Sequence, residues 1–205
     1  ELINYEADDL IATYAKKIIE AGAKATVISS DKDLMQLVSD NIRLYDPMKS
    51  KVLGEKEVIE KFGVKPNQVV DVQSLAGDSS DNIPGVPKCG PKTAVKWLQA
   101  FESLNGVMAN AESVKGKVGE YLRDSLEFLP MSYELATIKK DLELEYSVDE
   151  LASSKADLEG LLAIFTELEF RPWVNEISSD APGDTNESPV TSTLEADYET
   201  LFDEA

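Results

Sequence analysis

Carboxylates fall into three short clusters along this chain, and they are the side chains best suited to chemistry. The chain has no histidine, which excludes histidine-based nucleophilic triads and the usual zinc sites. Oxygen ligands without histidine suit hard divalent cations such as Mg²⁺ or Mn²⁺. The clusters therefore predict a carboxylate site for such a cation. The seven acids are Glu6, Asp8, Asp9, Asp31, Asp33, Asp78 and Asp81.

The third acid cluster leads directly into a basic segment rich in glycine and proline. Gly85 and Gly90 frame a turn, and Pro91 stands where a first helical residue is common. Backbone N–H groups at such a turn and helix start can bind a phosphate. The pattern predicts a helix–hairpin–helix that contacts the DNA backbone without reading bases. The expected DNA contacts are Gly85, Lys88, Gly90, Lys92, Thr93, Lys96 and, in a later helix, Lys117.

Each motif on its own also has an ordinary structural interpretation. Glu6, Asp8 and Asp9 suit the solvated first turn of a helix. Asp31 can be the N-cap of a short helix, and the polar residues after Asp78 suit any turn. A lysine in a later helix can lie on a solvated face. Together, however, acids beside a phosphate-binding segment indicate chemistry on a phosphodiester.

The charge of the chain is distributed unevenly. The net charge of −19 over 205 residues disfavours nucleic-acid binding. Residues 174–205, however, contain nine acidic residues and no basic residue, whereas residues 82–101 contain three lysines and no acidic residue. A local basic edge can still bind phosphates. The one cysteine, Cys89, excludes an internal disulfide, and no apolar run reaches the length of a membrane helix. We expect a cytoplasmic protein without membrane contact.

The elements that position the first two acid clusters alternate between helix and strand. Apolar residues at helical spacing predict a first helix that ends at Gly22. A run rich in β-branched residues over 25–29 predicts a strand that ends before Asp31. A short helix over 33–38 and a strand over 42–45 follow. This order predicts an α/β fold, in which ligands gather at the carboxyl ends of parallel strands.

The rest of the chain is predicted to be mostly helical. One strand, 142–146, alternates apolar and acidic residues. Helices are expected over 55–62, 67–75, 92–101, 103–109, 114–128, 131–138 and 155–168. The expected domains are an α/β core over 1–61, a helical DNA-binding subdomain with a return strand over 62–173, an acidic disordered linker over 174–193, and the start of a further domain over 194–205. Since no methionine opens the chain, we expect an internal fragment.

Three ordered strings in the sequence resemble motifs of the 5′-nuclease (flap endonuclease) family. They are Glu6–Thr13, Ser30–Val38 and Gly77–Ala94. The resemblance covers residues 1–173 and is strongest to the 5′–3′ exonuclease domains of bacterial DNA polymerases I. It implies the C-terminal part of a PIN-like parallel-sheet nuclease core, joined to a helix–three-turn–helix subdomain. The segment from Asp197 resembles the start of a 3′–5′ exonuclease-like domain.

The family resemblance implies a metal-dependent 5′–3′ exonuclease that serves DNA replication and repair. The seven acids would be the catalytic residues and the ligands of two or more Mg²⁺ or Mn²⁺ ions. The loop over 81–94 would hold DNA and a K⁺ ion. The implied partners are DNA with a 5′ flap, nick or RNA primer, and polymerase domains in the same polypeptide. We expect a monomer associated with the bacterial nucleoid.

The chain departs from the family pattern at two places. Lys88 and Cys89 stand where many relatives carry glycine and an aliphatic residue. The family's first catalytic strand, a further metal-binding aspartate and a basic helical arch would lie before Glu1, so we expect the isolated chain to be inactive. A non-catalytic DNA-binding module and a stand-alone 5′ nuclease are the alternatives.

Overall fold

The computed structural model describes residues 3, 5–153 and 155–179, and the chain divides into two compact units, Glu1–Ala152 and Ser153–Ala205. The strands are β1 (Ala25–Ile28), β2 (Ile42–Asp46) and β3 (Lys51–Leu53). The helices are α1 (Ala7–Glu20), α2 (Glu55–Phe62), α3 (Val69–Ala76), α4 (Pro91–Phe101), α5 (Leu104–Ala109), α6 (Lys117–Ser125), α7 (Leu129–Ala136), α8 (Leu158–Glu167) and α9 (Arg171–Ser179).

The first unit begins with a small sheet in the order β1-β2-β3. β1 pairs with β2 in parallel, as the α/β pattern predicts, with Val27 opposite Leu44. Both residues are buried in a core that also contains Ala12 of α1, because alternate strand residues point to the same face. A 3-10 turn over Asp33–Leu37 connects the two strands and confirms the predicted short helix.

The sheet is mixed, because β3 pairs with β2 in antiparallel fashion. The sequence analysis missed this strand and predicted a parallel sheet only. The turn between β2 and β3 is held by Asp46, whose Oδ1 accepts the N–H groups of Met48 and Lys49 at 3.0 and 3.2 Å. A two-strand hairpin of this kind needs only three residues of β3, too few to show an alternating pattern.

Helices α3 to α7 surround a second apolar core in the same unit. Leu75, Leu98, Val107, Leu122 and Leu129 are all at most 2% exposed there. The predicted helices are confirmed, with one correction: the span 114–128 contains the shorter helix α6. Gly116 stands before α6 at a φ of 81°, a left-handed conformation that interrupts a helix and favours glycine.

Residues 142–146 do not form the predicted return strand, and their backbone is irregular. Leu142 is buried as the alternation predicted. Its N–H, however, donates to Thr13 Oγ1 at 3.4 Å, and the carbonyl of Tyr146 accepts the hydroxyl of Tyr14 at 3.1 Å. Side chains of α1 therefore hold the segment. They cannot replace the regular backbone hydrogen bonds to a neighbouring strand that a β-strand requires.

The second unit contains α8 and α9. Phe165, Phe170 and Trp173 pack together there, with both phenylalanine rings 5.0 Å from the Trp173 ring centre. Helix α9 extends to Ser179, so the expectation of a disordered linker from residue 174 is wrong for residues 174–179. The remainder of that linker and the expected domain start at 194–205 lie outside the described residues. Within the described part of the chain, no helix has the length and apolarity needed to cross a bilayer.

Candidate functional site

Five of the seven predicted acids line one cavity of about 210 Å³ in the first unit. They come from three places: the start of α1, the segment after β1, and the loop after α3. Gln73, Ile83 and residues 135–138 at and after the end of α7 also line the cavity. The lining acids are Glu6, Asp8, Asp31, Asp33 and Asp81. Tertiary packing thus brings together all three of the clusters identified in the sequence.

Asp33, Asp78 and Asp81 form the tightest carboxylate group. One oxygen from each lies within 4.8 Å of the others, close enough to share a metal ion. Local turns orient the carboxylates of Asp78 and of the neighbouring Asp31. Asp78 Oδ1 accepts the N–H of Ser80 at 3.0 Å, and Asp31 Oδ1 accepts the N–H of Asp33 at 2.9 Å. Turns of this type are made by aspartate side chains that bond to the backbone two residues on.

The crowding of acids disfavours their ionised forms. Burial raises the pKa of Asp33 to about 6, and the charges of Asp31 and Asp81 act in the same direction. Burial, followed by the charge of Asp31, also raises the pKa of Asp8. Carboxylates that repel one another in a partly buried site are stabilised by a cation. A donor set of oxygens only, without histidine or cysteine, fits a hard divalent metal ion.

Lys32 supplies the cationic partner of Asp78. Its Nζ lies 2.5 Å from Asp78 Oδ2 and 3.5 Å from Ser80 Oγ. Burial acts to raise the pKa of Asp78, but the hydrogen bonds from Lys32 and from the Ser80 backbone lower it below its usual value. Sequence reasoning did not identify Lys32. Its position between two predicted ligands, Asp31 and Asp33, was the available signal.

Gln73 of α3 connects carboxylates from two parts of the site, and it was also missed. Its Nε2 donates a short hydrogen bond to Asp33 Oδ1 and lies 3.5 Å from Asp78 Oδ2. Among the described residues, its Oε1 is the one buried side-chain oxygen or nitrogen without a hydrogen-bond partner. Nothing in the sequence distinguishes this glutamine from other polar residues in α3.

Asp9 does not line the cavity, although the sequence analysis grouped it with the metal ligands. Its Oδ1 accepts the N–H of Lys139 at 2.8 Å, and its Oδ2 accepts the N–H of Glu6 at 3.2 Å. Asp9 therefore ties the start of α1 to the segment after α7. Its role as a metal ligand stays a prediction.

The loop after α3 forms a compact hairpin over residues 77–90. Asp78 and Ile83 exchange two backbone hydrogen bonds at 2.8 and 2.9 Å. Gly85 packs so closely against the end of α3 that a Cβ there would lie 2.3 Å from the carbonyl carbon of Ala76. Ser132 of α7 donates to the carbonyl of Pro84 at 3.0 Å. The hairpin is therefore anchored to two helices.

The predicted DNA-contacting lysines are all exposed near the hairpin or on α6. Within the described part of the chain, no carboxylate lies within the 4.0 Å of an ion pair from any of them. Lys88 has a φ of 63°, a left-handed conformation that favours glycine. This conformation suits glycine, the residue that the family resemblance implied for this position. The exposed lysines are Lys88, Lys92, Lys96 and Lys117.

Of the three other predicted contacts, Gly85 lies in the hairpin, and Gly90 and Thr93 belong to the start of α4. Gly90 is the N-cap residue, and no atom outside its immediate neighbours lies within 4 Å of where its Cβ would be. The N–H of Thr93 donates to the carbonyl of Gly90 at 2.9 Å. Gly90 thus lies in an open helix start, a place where backbone N–H groups without a partner in the helix can meet an anion. DNA binding by these residues stays a prediction.

Two family models together match residues 1–159. Residues 1–63 match the description "5'-3' exonuclease, N-terminal resolvase-like domain", and residues 64–159 match "5'-3' exonuclease, C-terminal SAM fold". Their boundary falls just after α2, close to the boundary at 61 that the sequence analysis expected.

Several bacterial proteins are similar over most of this chain. The chain is 40% identical over 196 residues to a DNA polymerase I of Bacillus caldotenax, covering 93% of this chain and 22% of that protein. It is 38% identical to a DNA polymerase I of Rhizobium leguminosarum, covering 87% of this chain and 18% of that protein. It is 39% identical to a 5'-3' exonuclease of Aquifex aeolicus, covering 86% of this chain and 60% of that protein. The chain thus spans about a fifth of the polymerases and 60% of the exonuclease.

Solved structures share the fold at lower identity. A bacteriophage T5 5'-exonuclease with bound divalent metal ions has a TM-score of 0.62 at 24% identity, over 66% of this chain and 51% of that one. The catalytic core of Rad2 in complex with a DNA substrate has a TM-score of 0.53 at 16% identity, over 85% of this chain and 62% of that one. With both halves of the family present in order and an acid-lined cavity where they meet, the chain belongs to the 5′–3′ exonuclease family.

Proposed function

We propose that the chain is the nuclease part of a bacterial DNA polymerase I, and that it hydrolyses phosphodiesters at 5′ ends, flaps and nicks in DNA replication and repair. The observation that carries this proposal is the convergence of acids from three separate segments on one cavity beside the hairpin. A solvated helix turn, an N-cap and a polar loop would have no reason to meet in one place.

The acids of the cavity would hold the metal ions. Asp33, Asp78 and Asp81 would share one divalent cation, and Glu6, Asp8 and Asp31 line the same space for a second. We propose Mg²⁺ as the physiological ion, with Mn²⁺ as a substitute, because both prefer oxygen ligands. Bound there, such ions lower the pKa of a water and stabilise charge on a phosphate.

The chain's own side chains would prepare the site for this chemistry. Gln73 holds Asp33 against Asp78, so that carboxylates from two segments keep a constant spacing. Ile83 and Leu135 add apolar side chains to the lining of the cavity.

The hairpin and the start of α4 would hold the DNA. Lys88, Lys92 and Lys96 project from this region, and Lys117 adds a charge on α6. Lysines and open N–H groups suit the sequence-independent backbone of a duplex. We propose that backbone carbonyl oxygens of the loop over 81–94 also bind K⁺. The proposed partners are DNA with a 5′ flap, nick or RNA primer, and the polymerase domains of a monomeric polypeptide in the cytoplasm at the nucleoid.

The proposal is tested by cleavage of a 5′-labelled flap duplex, with the chain assayed alone and within its natural polypeptide. We expect short 5′ fragments from the natural polypeptide with Mg²⁺ or Mn²⁺ and none with EDTA. Asp81→Asn should abolish the fragments, whereas Asp124→Asn, a change of an exposed acid on α6, should not. Cleavage that continues in EDTA would contradict the metal-dependent mechanism.

The alternative function is a DNA-binding module without catalysis. It is favoured by the exposed lysines, because they can bind DNA phosphates without a metal ion. In that case the flap duplex would be bound but remain intact in the natural polypeptide at any Mg²⁺ or Mn²⁺ concentration. Binding in Ca²⁺, measured by fluorescence anisotropy, separates this outcome from a protein that does not recognise DNA.

A further inference from the structure

Lys32 forms an ion pair with a buried acid of the cluster. Its Nζ is 2.5 Å from Asp78 Oδ2, and the Asp78 side chain is only 6% exposed. The lysine side chain itself is 33% exposed, yet its ammonium group is held at the carboxylate. A lysine that served only solubility would keep its ammonium group in water.

Both oxygens of Asp78 are already engaged. Oδ1 accepts the N–H of Ser80 at 3.0 Å, and Oδ2 faces Lys32, with Gln73 Nε2 at 3.5 Å. A metal ion that binds Asp78 through Oδ2 would compete with the Lys32 ammonium for that oxygen. Two positive charges at one oxygen repel each other strongly. A cation bound by Asp33, Asp81 and Oδ2 of Asp78 would therefore displace Lys32.

We propose, on the basis of the proposed function, that Lys32 is an internal counter-ion that a divalent cation displaces from Asp78, and that its released ammonium turns to a phosphate of the bound DNA. In the metal-free protein Lys32 stabilises the cluster by neutralising one acid. When the metal binds, its double charge replaces that of the lysine. Lys32 is thus a positioning residue whose contact depends on the state of the site.

The chain around Lys32 permits this movement. Lys32 precedes the 3-10 turn Asp33–Leu37 and belongs to no helix or strand. The weaker of its two contacts, to Ser80 Oγ, is 3.5 Å long. Four rotatable carbon–carbon bonds let the ammonium move while the backbone that carries Asp31 and Asp33 stays in place. The exchange therefore requires no rearrangement of the other ligands.

Competition predicts that removal of the lysine tightens metal binding. The test is a calorimetric titration of the 205-residue chain with Mn²⁺, comparing wild type, Lys32→Met and Lys56→Met. Lys56→Met removes the same charge from an exposed site, where Lys56 Nζ lies 3.9 Å from Glu60. We expect Lys32→Met to bind Mn²⁺ about tenfold more tightly than wild type. Lys56→Met should stay within about twofold of wild type.

The outcomes separate the two proposals. If the wild-type chain and Lys32→Met both fail to bind Mn²⁺, this inference is overturned, whereas the proposed function is tested separately by cleavage of the flap duplex in the natural polypeptide. If wild type binds but Lys32→Met binds equally or more weakly, the inference alone is overturned. A thermal melt in EDTA checks that the Lys32→Met variant folds. If that variant does not fold, Lys32→Gln is used in its place.

A second readout follows Lys32 itself. In carbon-detected NMR, addition of Mg²⁺ should shift the Cε signal of Lys32 and leave that of Lys56 in place. Anisotropy with a flap duplex in Ca²⁺ should show DNA binding weakened about threefold by Lys32→Met. An unshifted Lys32 signal at saturating Mg²⁺ would mean that the ion pair is static, which would overturn the exchange.

Discussion

The acid-lined cavity and the hairpin are neighbours in the molecule, but they are built in opposite ways. The cavity draws its acids from three segments spread over the first 81 residues, which supply Glu6 and Asp8, Asp31 and Asp33, and Asp81. The hairpin and its lysines lie in the continuous stretch 77–96. One region requires the tertiary fold, whereas the other needs a single loop between two helices.

The charges of the two regions are treated differently as well. At the acid site, Gln73 and Lys32 hold Asp33 and Asp78. Burial raises the pKa of Asp33, whereas the hydrogen bonds from Lys32 and Ser80 lower that of Asp78. At the hairpin, Lys92 and Lys96 are exposed. This contrast fits the proposed function: acids held by neighbouring side chains suit a small, highly charged ion, whereas exposed lysines can follow a long polyanion. Apart from Lys32, which the further inference connects to both ligands, residues of the two regions should respond to mutation independently.

The largest separation is expected from Asp33→Asn. Loss of one of three carboxylates should weaken Mn²⁺ binding about a hundredfold and leave DNA affinity in EDTA unchanged. In EDTA the variant should melt at a slightly higher temperature, because the charge that repels Asp31 and Asp81 is gone. Titration calorimetry and thermal melts provide the measurements. Asp124→Asn is the control, and equal Mn²⁺ affinity in Asp33→Asn and wild type would contradict Asp33 as a ligand.

Gly85→Ala should damage the hairpin by a steric clash. Its Cβ would lie 2.3 Å from the Ala76 carbonyl carbon, so we expect a loss of about 2–4 kcal/mol of unfolding free energy. Gly90→Ala is the matched control, since its Cβ meets no atom within 4 Å, and it should cost less than about 1 kcal/mol. Urea unfolding measures both. Equal losses would show that the close approach to α3 is unimportant.

The double variant Lys92→Met, Lys96→Met should weaken DNA binding without affecting the metal. Each lost phosphate contact should reduce the slope of log affinity against log salt by about 0.9. The slope is measured by anisotropy at several salt concentrations in EDTA. Lys16→Met, Lys56→Met removes the same charge from exposed positions outside the hairpin. If both double variants lose the same slope, only net charge matters and the hairpin is not the contact.

The smallest effect concerns Cys89, which is buried at the base of the hairpin. Burial raises the pKa of its thiol from 9.0 to about 12. The folded protein therefore keeps the thiol protonated when the unfolded chain begins to ionise, and stability is lost as the pH rises from 9 toward 12. Between pH 7.5 and 9.5 the ionisation of this thiol in the unfolded chain should lower the free energy of unfolding by about 0.8 kcal/mol. Urea unfolding of wild type and Cys89→Ser at both pH values measures the difference, and an identical pH dependence would contradict the shift.

Local structure followed closely from the sequence. Helix α2 was predicted with its observed bounds over 55–62, and strand β1 to within one residue. Both have strong local signals: a glycine with φ of 77° directly after α2, and a run of β-branched residues in β1. The prediction failed for β3, which is too short to show a pattern. It also failed for 142–146, where apolar and acidic residues alternate but no neighbouring strand pairs with the segment.

The sequence by itself determined the chemical character of this protein: oxygen ligands without histidine, and a glycine-framed basic loop after the last acid cluster. Only the tertiary structure decided which acids share the cavity, that Asp9 bonds to backbone instead, and that Lys32 and Gln73 belong to the site. The physical reason is distance along the chain. Gln73 reaches Asp33 across 40 residues and Lys32 reaches Ser80 across 48. Residue types and spacing determine what a side chain can bind, but contacts over such separations depend on how the helices and the sheet pack.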